Sequence, residues 1–286
     1  MPIDMFILKF NNGGMVVKKN IILFLTVSIY FCYSMEQPQT TYLGLCTEFW
    51  DFDKPYPPAS EYAFFRHYVA QSKGPILEPM CGSGRYIIPL LEEGFEVEGF
   101  DASPFMFNAL RKKCEEKNLS PRIWEQYLEL MPETKQYDLI FIPDTSFCHF
   151  LNHFTIKKAL QKIYSLLLPG GTFVFNLQTT SMKLDNVGVW TGKIYRKPNA
   201  TIIIENRLIL PIENSIVPLI LKYELINNTE ILKTEMEYYQ IKLFHATEMD
   251  ALLKEIGFSE VKKIKAYQHG KAPSHRDEVI VYECIK

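Results

Sequence analysis

The sequence predicts an α/β fold: a mostly parallel sheet flanked by helices, with an antiparallel β block inserted late in the chain. Three observations carry that expectation. A short apolar run, Ile76 to Glu78, passes through a glycine turn into a helical pattern beginning at Tyr86-Ile87-Ile88. A second apolar run then ends at Gly99-Phe100-Asp101, with Asp101 nineteen residues beyond Gly82. After Leu177 the alternation of strands and helices gives way to strand-like runs separated by Asn-rich turns.

The first two observations describe a nucleoside-binding half-sheet. Gly82 and Gly84 let the backbone turn tightly and approach a ligand where a Cβ would obstruct it. Asp101 stands where a carboxylate accepts from ribose hydroxyls. A dinucleotide fingerprint wants a third small residue, and this chain has Ile87 there. Glu78, ending the first strand, suits a ligand bearing positive charge better than a pyrophosphate.

The stretch Leu77-Glu78-Pro79-Met80-Cys81-Gly82-Ser83-Gly84-Arg85 resembles the glycine-rich motif of the class I S-adenosylmethionine-dependent methyltransferases. Leu167-Leu168-Pro169-Gly170-Gly171-Thr172-Phe173-Val174-Phe175 is similar to a later motif of the same family, so the resemblance runs from about Tyr68 to Leu177. It implies S-adenosyl-L-methionine as cofactor. It also implies a Rossmann-like seven-stranded sheet of order 3-2-1-4-5-7-6.

Composition bounds the partners. The 286 residues can bury a full core. Lys and Arg number 31 against 33 Asp and Glu, a formal charge of −2 with no basic stripe, so nucleic acid is not expected. Aromatics reach 14%, enough to fill a core and still line a stacking pocket. The cysteines at 32, 46, 81, 114, 148 and 284 form no metal-type pair, and no metal site is expected. Cys81 and Cys148 read as small packing residues rather than nucleophiles.

Residues 1–34 read as a leader. Lys18-Lys19 precede an apolar stretch from Ile21 to Cys32 that fits a signal peptide and is too short for a stable membrane span. Export follows if that segment functions. A cytoplasmic protein follows if translation starts at Met35. Residues 35–286 then form one domain.

Taken in order, that domain opens on an aromatic segment in which Tyr42, Glu48 and Trp50 are candidate substrate contacts. Ala59 to Ala70 reads as a helix. Strands follow at Ile76–Glu78, Phe95–Gly99, Arg122–Glu125, Tyr137–Pro143 and Thr172–Leu177. Ser103-Pro104 marks a helix start with a hydroxyl cap and proline at the first position. Ile156 to Leu168 forms the helix before the fifth strand. Residues 180–243 carry the antiparallel block, with strands at Trp190–Tyr195, Thr201–Leu208, Leu219–Ile226 and Ile231–Leu243. A helix capped by Thr247, with Asp250 as reciprocal partner, runs to Gly257. A final strand pair, Val261–Tyr267 and Glu278–Glu283, completes the sheet.

The resemblance assigns roles to these positions. Glu78 with the turn Met80, Cys81, Gly82 and Gly84 would hold the amino-acid end of the cofactor. Asp101 would hold ribose, Ala102 would lie near adenine, and Gln126, Tyr127 or Leu128 would flank the base. Family members often place a carboxylate at the Gln126 position, and Glu125 is its neighbour. Pro143 and Asp144 follow the fourth strand at the point where strand order reverses, where open α/β sheets bind ligands. The insertion would cover a small-molecule methyl acceptor, or serve as a homodimer interface.

Methyl transfer from a sulfonium needs a nucleophile held in line, with a proton acceptor when that nucleophile is an amine or hydroxyl. His149, at the reversal point, is the candidate catalytic residue, and Asp144, Tyr238, Tyr239 and His245 join Tyr42 and Trp50 as substrate candidates. Alternation points only one of Tyr238 and Tyr239 inward. The expected activity is transfer to nitrogen or oxygen of a small molecule. Two other readings stay open: a methyltransferase acting on protein, and a non-catalytic adenosine-ligand module, which the missing acid at Gln126 favours.

Overall fold

The structure, a computed structural model, describes residues 41–286. The leader expected over 1–34 and the start at Met35 lie outside the described residues. In chain order, helices α1 (Gly44–Asp53) and α2 (Ala59–Gln71) precede β1 (Ile76–Pro79), α3 (Ile87–Glu92), β2 (Val97–Asp101), α4 (Pro104–Glu116) and β3 (Ile123–Glu125). Next come β4 (Tyr137–Ile142), α5 (His153–Leu166) and β5 (Leu167–Gln178). Strands β6 (Trp190–Arg196), β7 (Ile202–Ile209), β8 (Ile216–Asn227) and β9 (Glu230–Lys242) follow. Helix α6 (Ala246–Ile256), β10 (Glu260–Lys265) and β11 (Val279–Ile285) close the chain.

One sheet has the order β3-β2-β1-β4-β5-β11-β10, with β11 antiparallel to both its neighbours. With β10 and β11 counted as its sixth and seventh strands, this is the expected 3-2-1-4-5-7-6. The second sheet is the antiparallel meander β6-β7-β8-β9.

Strand β4 shows why the first sheet is central. Ile140 and Ile142 enter one apolar cluster with Leu160 and Ile163 of α5, while Leu139 and Phe141 enter another with Phe65 of α2 and Ile87 of α3. A strand buried on both faces needs an uninterrupted apolar run, which is what the sequence supplies. Each such side chain contributes about 1.5–3 kcal/mol on burial.

Local signals hold in most places. Ser103 accepts from Met106 N at 3.2 Å with Pro104 opening α4. Gly257 ends α6 at φ +113. The Thr247 cap is a correction: α6 starts at Ala246 with His245 as N-cap and no side-chain cap. Leu243 and Phe244 are buried there, which turns the chain before Thr247, and Lys263 takes the Asp250 carboxylate. Helix α5 begins earlier than expected, because Asn152 accepts from Thr155 N at 2.9 Å. Helix α1 was expected only as an aromatic segment.

Gly84 sits at φ +91, and a Cβ there would lie 2.5 Å from Leu110 Cδ1 and 2.8 Å from Ile88 Cδ1. Gly84→Ala therefore combines a left-handed backbone with overpacking, and costs about 3 kcal/mol in urea unfolding. Gly94→Ala, at φ +88 with open space around it, is the control and costs about 1 kcal/mol.

Candidate active site

The cradle begins at the end of β1. Glu78 is only 1% exposed, and its Oε2 has no hydrogen-bond partner. Burial, then the nearby Asp101 and Asp144 carboxylates, push its pKa well above the usual range. A buried acceptor with nothing to accept from is costly unless a ligand supplies a donor. The turn that follows uses left-handed backbone at Met80 (φ 58), Gly82 (φ 55) and Gly84. Cys81 N donates to Phe100 O at 3.0 Å, which pins the turn to β2, and burial pushes the Cys81 thiol up, away from nucleophilic use. A Cβ on Gly82 would find no atom nearer than Met106 Sδ at 4.0 Å, so the turn faces open space. Ile87 is accommodated because Gly99 makes room for it: a Cβ at Gly99 would meet Ile87 Cδ1 at 2.8 Å.

Asp101, the expected ribose contact, holds the turn and the start of α4. Its Oδ2 accepts from Gly82 N and its Oδ1 from Ser103 N, each at 2.8 Å. Ala102 beside it is half-buried. Gln126 N donates to Asp101 O at 2.9 Å, and the Gln126 side chain turns back to accept from Tyr127 N at 2.9 Å. Leu128 is buried, while Tyr127 and Glu125 are exposed. The positions expected to flank the base thus lie at the end of β3, beside Asp101.

The opposite wall follows β4. Pro143 is buried, and Asp144 and Thr145 are both left-handed, at φ 57 and 56. Two consecutive such residues are strained and persist only where the surroundings fix them. Glu61 of α2 accepts from Asp144 N at 2.9 Å and from Asn176 Nδ2 at 3.0 Å, and Asn176 Oδ1 accepts from Thr145 N at 2.8 Å. Arg85 donates to Asp144 Oδ2 at 2.9 Å. Sequence reasoning missed Glu61 and Asn176. The available signal was Asn176 itself, a polar residue inside an otherwise apolar strand.

Three residues from distant segments meet beyond this loop. Tyr42 Oη lies 2.9 Å from His149 Nε2, Tyr239 Oη lies 3.2 Å from the same nitrogen, and the two hydroxyls are 3.1 Å apart. Burial raises both tyrosine pKa values, so both hydroxyls stay protonated. Burial lowers His149 to about 4, opposed by a backbone hydrogen bond with Gln240. The imidazole is neutral at pH 7, and in the tautomer protonated at Nδ1 it offers Nε2 as an acceptor.

The sign of that shift gives a pH prediction. Because the folded value lies below the ordinary value of about 6.5, the unfolded chain takes up the proton first as pH falls. His149's contribution to stability is complete above about pH 6.5 and lost towards pH 4. Urea midpoints measured from pH 7 down to about 4.5 fall less in His149→Gln than in the unsubstituted protein.

The remaining candidates divide. Trp50 stands edge-on to Tyr42, ring centroids 6.4 Å apart, with Lys54 Nζ 3.9 Å above its ring. Asp51 of α1 accepts from Ser83 in the turn and pairs with Lys113 at 2.8 Å. Glu48 pairs with Lys197 of the second sheet's first hairpin. The start of α1 is held by that sheet as well: Glu237 accepts from Tyr42 N at 3.0 Å and Leu43 N at 2.8 Å, and Glu235 from Leu45 N at 2.6 Å. Tyr238 is half exposed on the opposite face to Tyr239. His245, at the N-cap position of α6, has Nδ1 3.2 Å from Thr180 Oγ1 and has no hydrogen bond to the Tyr42–His149–Tyr239 group. Among the described residues, no group of His, Cys, Asp and Glu is arranged to hold a metal ion. No helix among them is long and apolar enough to cross a membrane.

Residues 76–171, from β1 into β5, match a family model described as a methyltransferase domain. The stretch from β1 into β5 is therefore similar to a methyltransferase domain. A Geobacillus sp. (strain WCH70) protein named as a methyltransferase is 26% identical over 122 residues, 43% of this chain and 49% of the relative. The chain spans about half the length of the curated relatives it matches. An S-adenosylmethionine-dependent methyltransferase from Clostridium acetobutylicum superposes with a TM-score of 0.66 at 17% identity, covering 83% of this chain and 96% of that one. The sugar N-methyltransferase KedS8 from Streptoalloteichus sp. superposes with a TM-score of 0.69 at 15% identity, covering 96% and 99%. At these identities the likeness shows the shared fold alone.

Proposed function

We propose that this chain transfers a methyl group from S-adenosyl-L-methionine to a nitrogen or oxygen of a small molecule by direct in-line displacement. The observation that carries the reading is the buried, unpartnered Oε2 of Glu78 beside a turn whose Gly82 opens onto free space. An ammonium or a water bound to it supplies the missing donor, which fits the amino-acid end of the cofactor. Asp101 keeps lone pairs for ribose hydroxyls while holding the turn. Ala102, Tyr127 and Leu128 flank the base, with Gln126 beside them and Pro143 closing the floor.

When bound, the sulfonium supplies a methyl carbon that is already electrophilic. The protein's share is alignment and exclusion of water. Helix α1 and β9 meet over the site through Tyr42, Tyr239 and Glu237, an enclosure that favours a small acceptor over a peptide. The name of KedS8, a sugar N-methyltransferase of the same fold, is consistent with an amine acceptor. A proton affinity near pH 4 makes His149 a weak base. It acts as the acceptor that orients the Tyr42 and Tyr239 hydroxyls, and an amine acceptor sheds its proton to solvent once the product leaves. Asp144 and Trp50 contact the acceptor from the two sides.

The test is incubation with S-adenosyl-L-methionine and a panel of small amines and hydroxy compounds, read by mass spectrometry as gain of one methylene. Tyr239→Phe lowers turnover about tenfold or more and leaves S-adenosyl-L-homocysteine affinity unchanged. Tyr238→Phe, on the other face, changes neither. Cofactor binding without transfer to any acceptor would favour the non-catalytic module.

A further inference from the structure

Beside the Tyr42–His149–Tyr239 group stands one cation that no carboxylate neutralises. Lys54, at the C-cap of α1, is half-buried, and its Nζ lies 3.9 Å over the ring of Trp50, which is edge-on to Tyr42. The charges that act on it most are Asp144, Arg85, Arg207 and Asp53. Asp144 is taken by Arg85 at 2.9 Å, Asp53 by Lys193 at 2.7 Å, and Arg207 is paired with Glu205 at 2.7 Å. Each of those pairs cancels, and among the described residues no carboxylate lies within ion-pair distance of the Lys54 ammonium. The Trp50 ring seats that ammonium but carries no charge to neutralise it.

Arg207 is the second, independent observation. Register pairs it with Leu221 on the inner face of the second sheet, one row from the Leu219–Tyr239 pair. Its Nη2 donates to Glu205, while its Nε is buried without a hydrogen-bond partner. A buried donor with nothing to donate to is as costly as the orphaned acceptor on Glu78. Arg207 is close enough to Lys54 to lower its proton affinity, so both donors want the same thing, an anion. The surplus is one positive charge, which matches a carboxylate. A phosphate monoester carries about −1.5 to −2 and would bring the excess against Asp144. A carboxylate also has two oxygens, one for each donor.

We propose that the methyl acceptor carries a carboxylate, held by Lys54 Nζ and Arg207 Nε. The proposal rests on the methyl-transfer reading above and adds the acceptor's class, a small amino or hydroxy acid.

Calorimetric titration of the full chain saturated with S-adenosyl-L-homocysteine tests it. The probes are glycine and β-alanine, the matching alcohols ethanolamine and propanolamine, and phosphoethanolamine. At least one amino acid binds about tenfold or more tightly than its alcohol and than phosphoethanolamine. Lys54→Met weakens that binding about thirtyfold and leaves the alcohols unchanged. Arg207→Lys keeps a cation for Glu205 but loses the Nε donor, and weakens it about fivefold. Circular dichroism and S-adenosyl-L-homocysteine affinity, unchanged in both variants, separate loss of the subsite from loss of the fold. Alcohols that bind as tightly as the acids overturn the proposal, as does tighter binding of phosphoethanolamine or no binding of any acid. A Lys54→Met protein that keeps the full preference overturns it too. A folded protein that binds no S-adenosyl-L-homocysteine removes the methyl-transfer reading and this proposal with it, whereas bound S-adenosyl-L-homocysteine without a carboxylate preference removes this proposal alone.

Discussion

Asp101→Ala weakens binding of S-adenosyl-L-homocysteine about a hundredfold. Hydrogen bonds to a charged group are worth about 1.5–3 kcal/mol each, and this substitution removes several at once. The amides of Gly82 and Ser103 lose the carboxylate that each now contacts at 2.8 Å. The first loss releases the glycine turn from β2, and the second loosens the start of α4. On the proposed reading, ribose hydroxyls lose their acceptor as well. Asp101→Asn keeps the volume and one acceptor oxygen but presents an NH₂ group to a second donor, so its loss is smaller. Calorimetric titration of the three proteins reads the order directly. Binding by Asp101→Ala within twofold of the unsubstituted protein would contradict the assignment.

Glu237→Ala frees the start of α1 from the second sheet. Its carboxylate is 2% exposed and accepts from two main-chain amides, Tyr42 N and Leu43 N, that precede the first turn of the helix. Without it both amides are left unpaired, at a cost of about 2–4 kcal/mol concentrated on one segment. Hydrogen exchange over residues 42–53 should accelerate about a hundredfold, with β1 and β4 unchanged. Tyr42 moves with this segment, so turnover falls too, while a cradle built from β1 and β2 still binds the cofactor. Uniform acceleration across the whole chain would instead make Glu237 a general stability residue.

The sheet was legible because its signals are local. Gly82, Gly84 and Asp101 stand at fixed spacings within one βαβ unit, and Pro169-Gly170-Gly171 marks the return into β5. The four strands of the second sheet were found within three residues at nearly every end, since alternation and Asn turns need no distant partner. The pairing of α1 with the second sheet was not legible. Helix α1 buries Leu45, Cys46 and Phe49 against Ile203, Leu219 and Leu221, partners supplied by chain far downstream. Its N-terminal amides are paired by Glu235 and Glu237, about 190 residues away. Glu61 and Asn176, which fix the Asp144 loop, are 115 residues apart. Alternation told that Tyr238 and Tyr239 part company. Only the register Leu219↔Tyr239, which puts Tyr239 on the inner face with buried Leu219, told which one meets His149. Spacing reads what one supersecondary unit needs, and tertiary pairing decides the rest.

The most direct test of the cradle is calorimetric titration of the folded protein with S-adenosyl-L-methionine, S-adenosyl-L-homocysteine and a nicotinamide dinucleotide. The Glu78–Gly82–Asp101 geometry predicts one-to-one binding of both S-adenosyl compounds and none of the dinucleotide. Binding of the dinucleotide, or of none of the three by a protein shown to be folded, would contradict it.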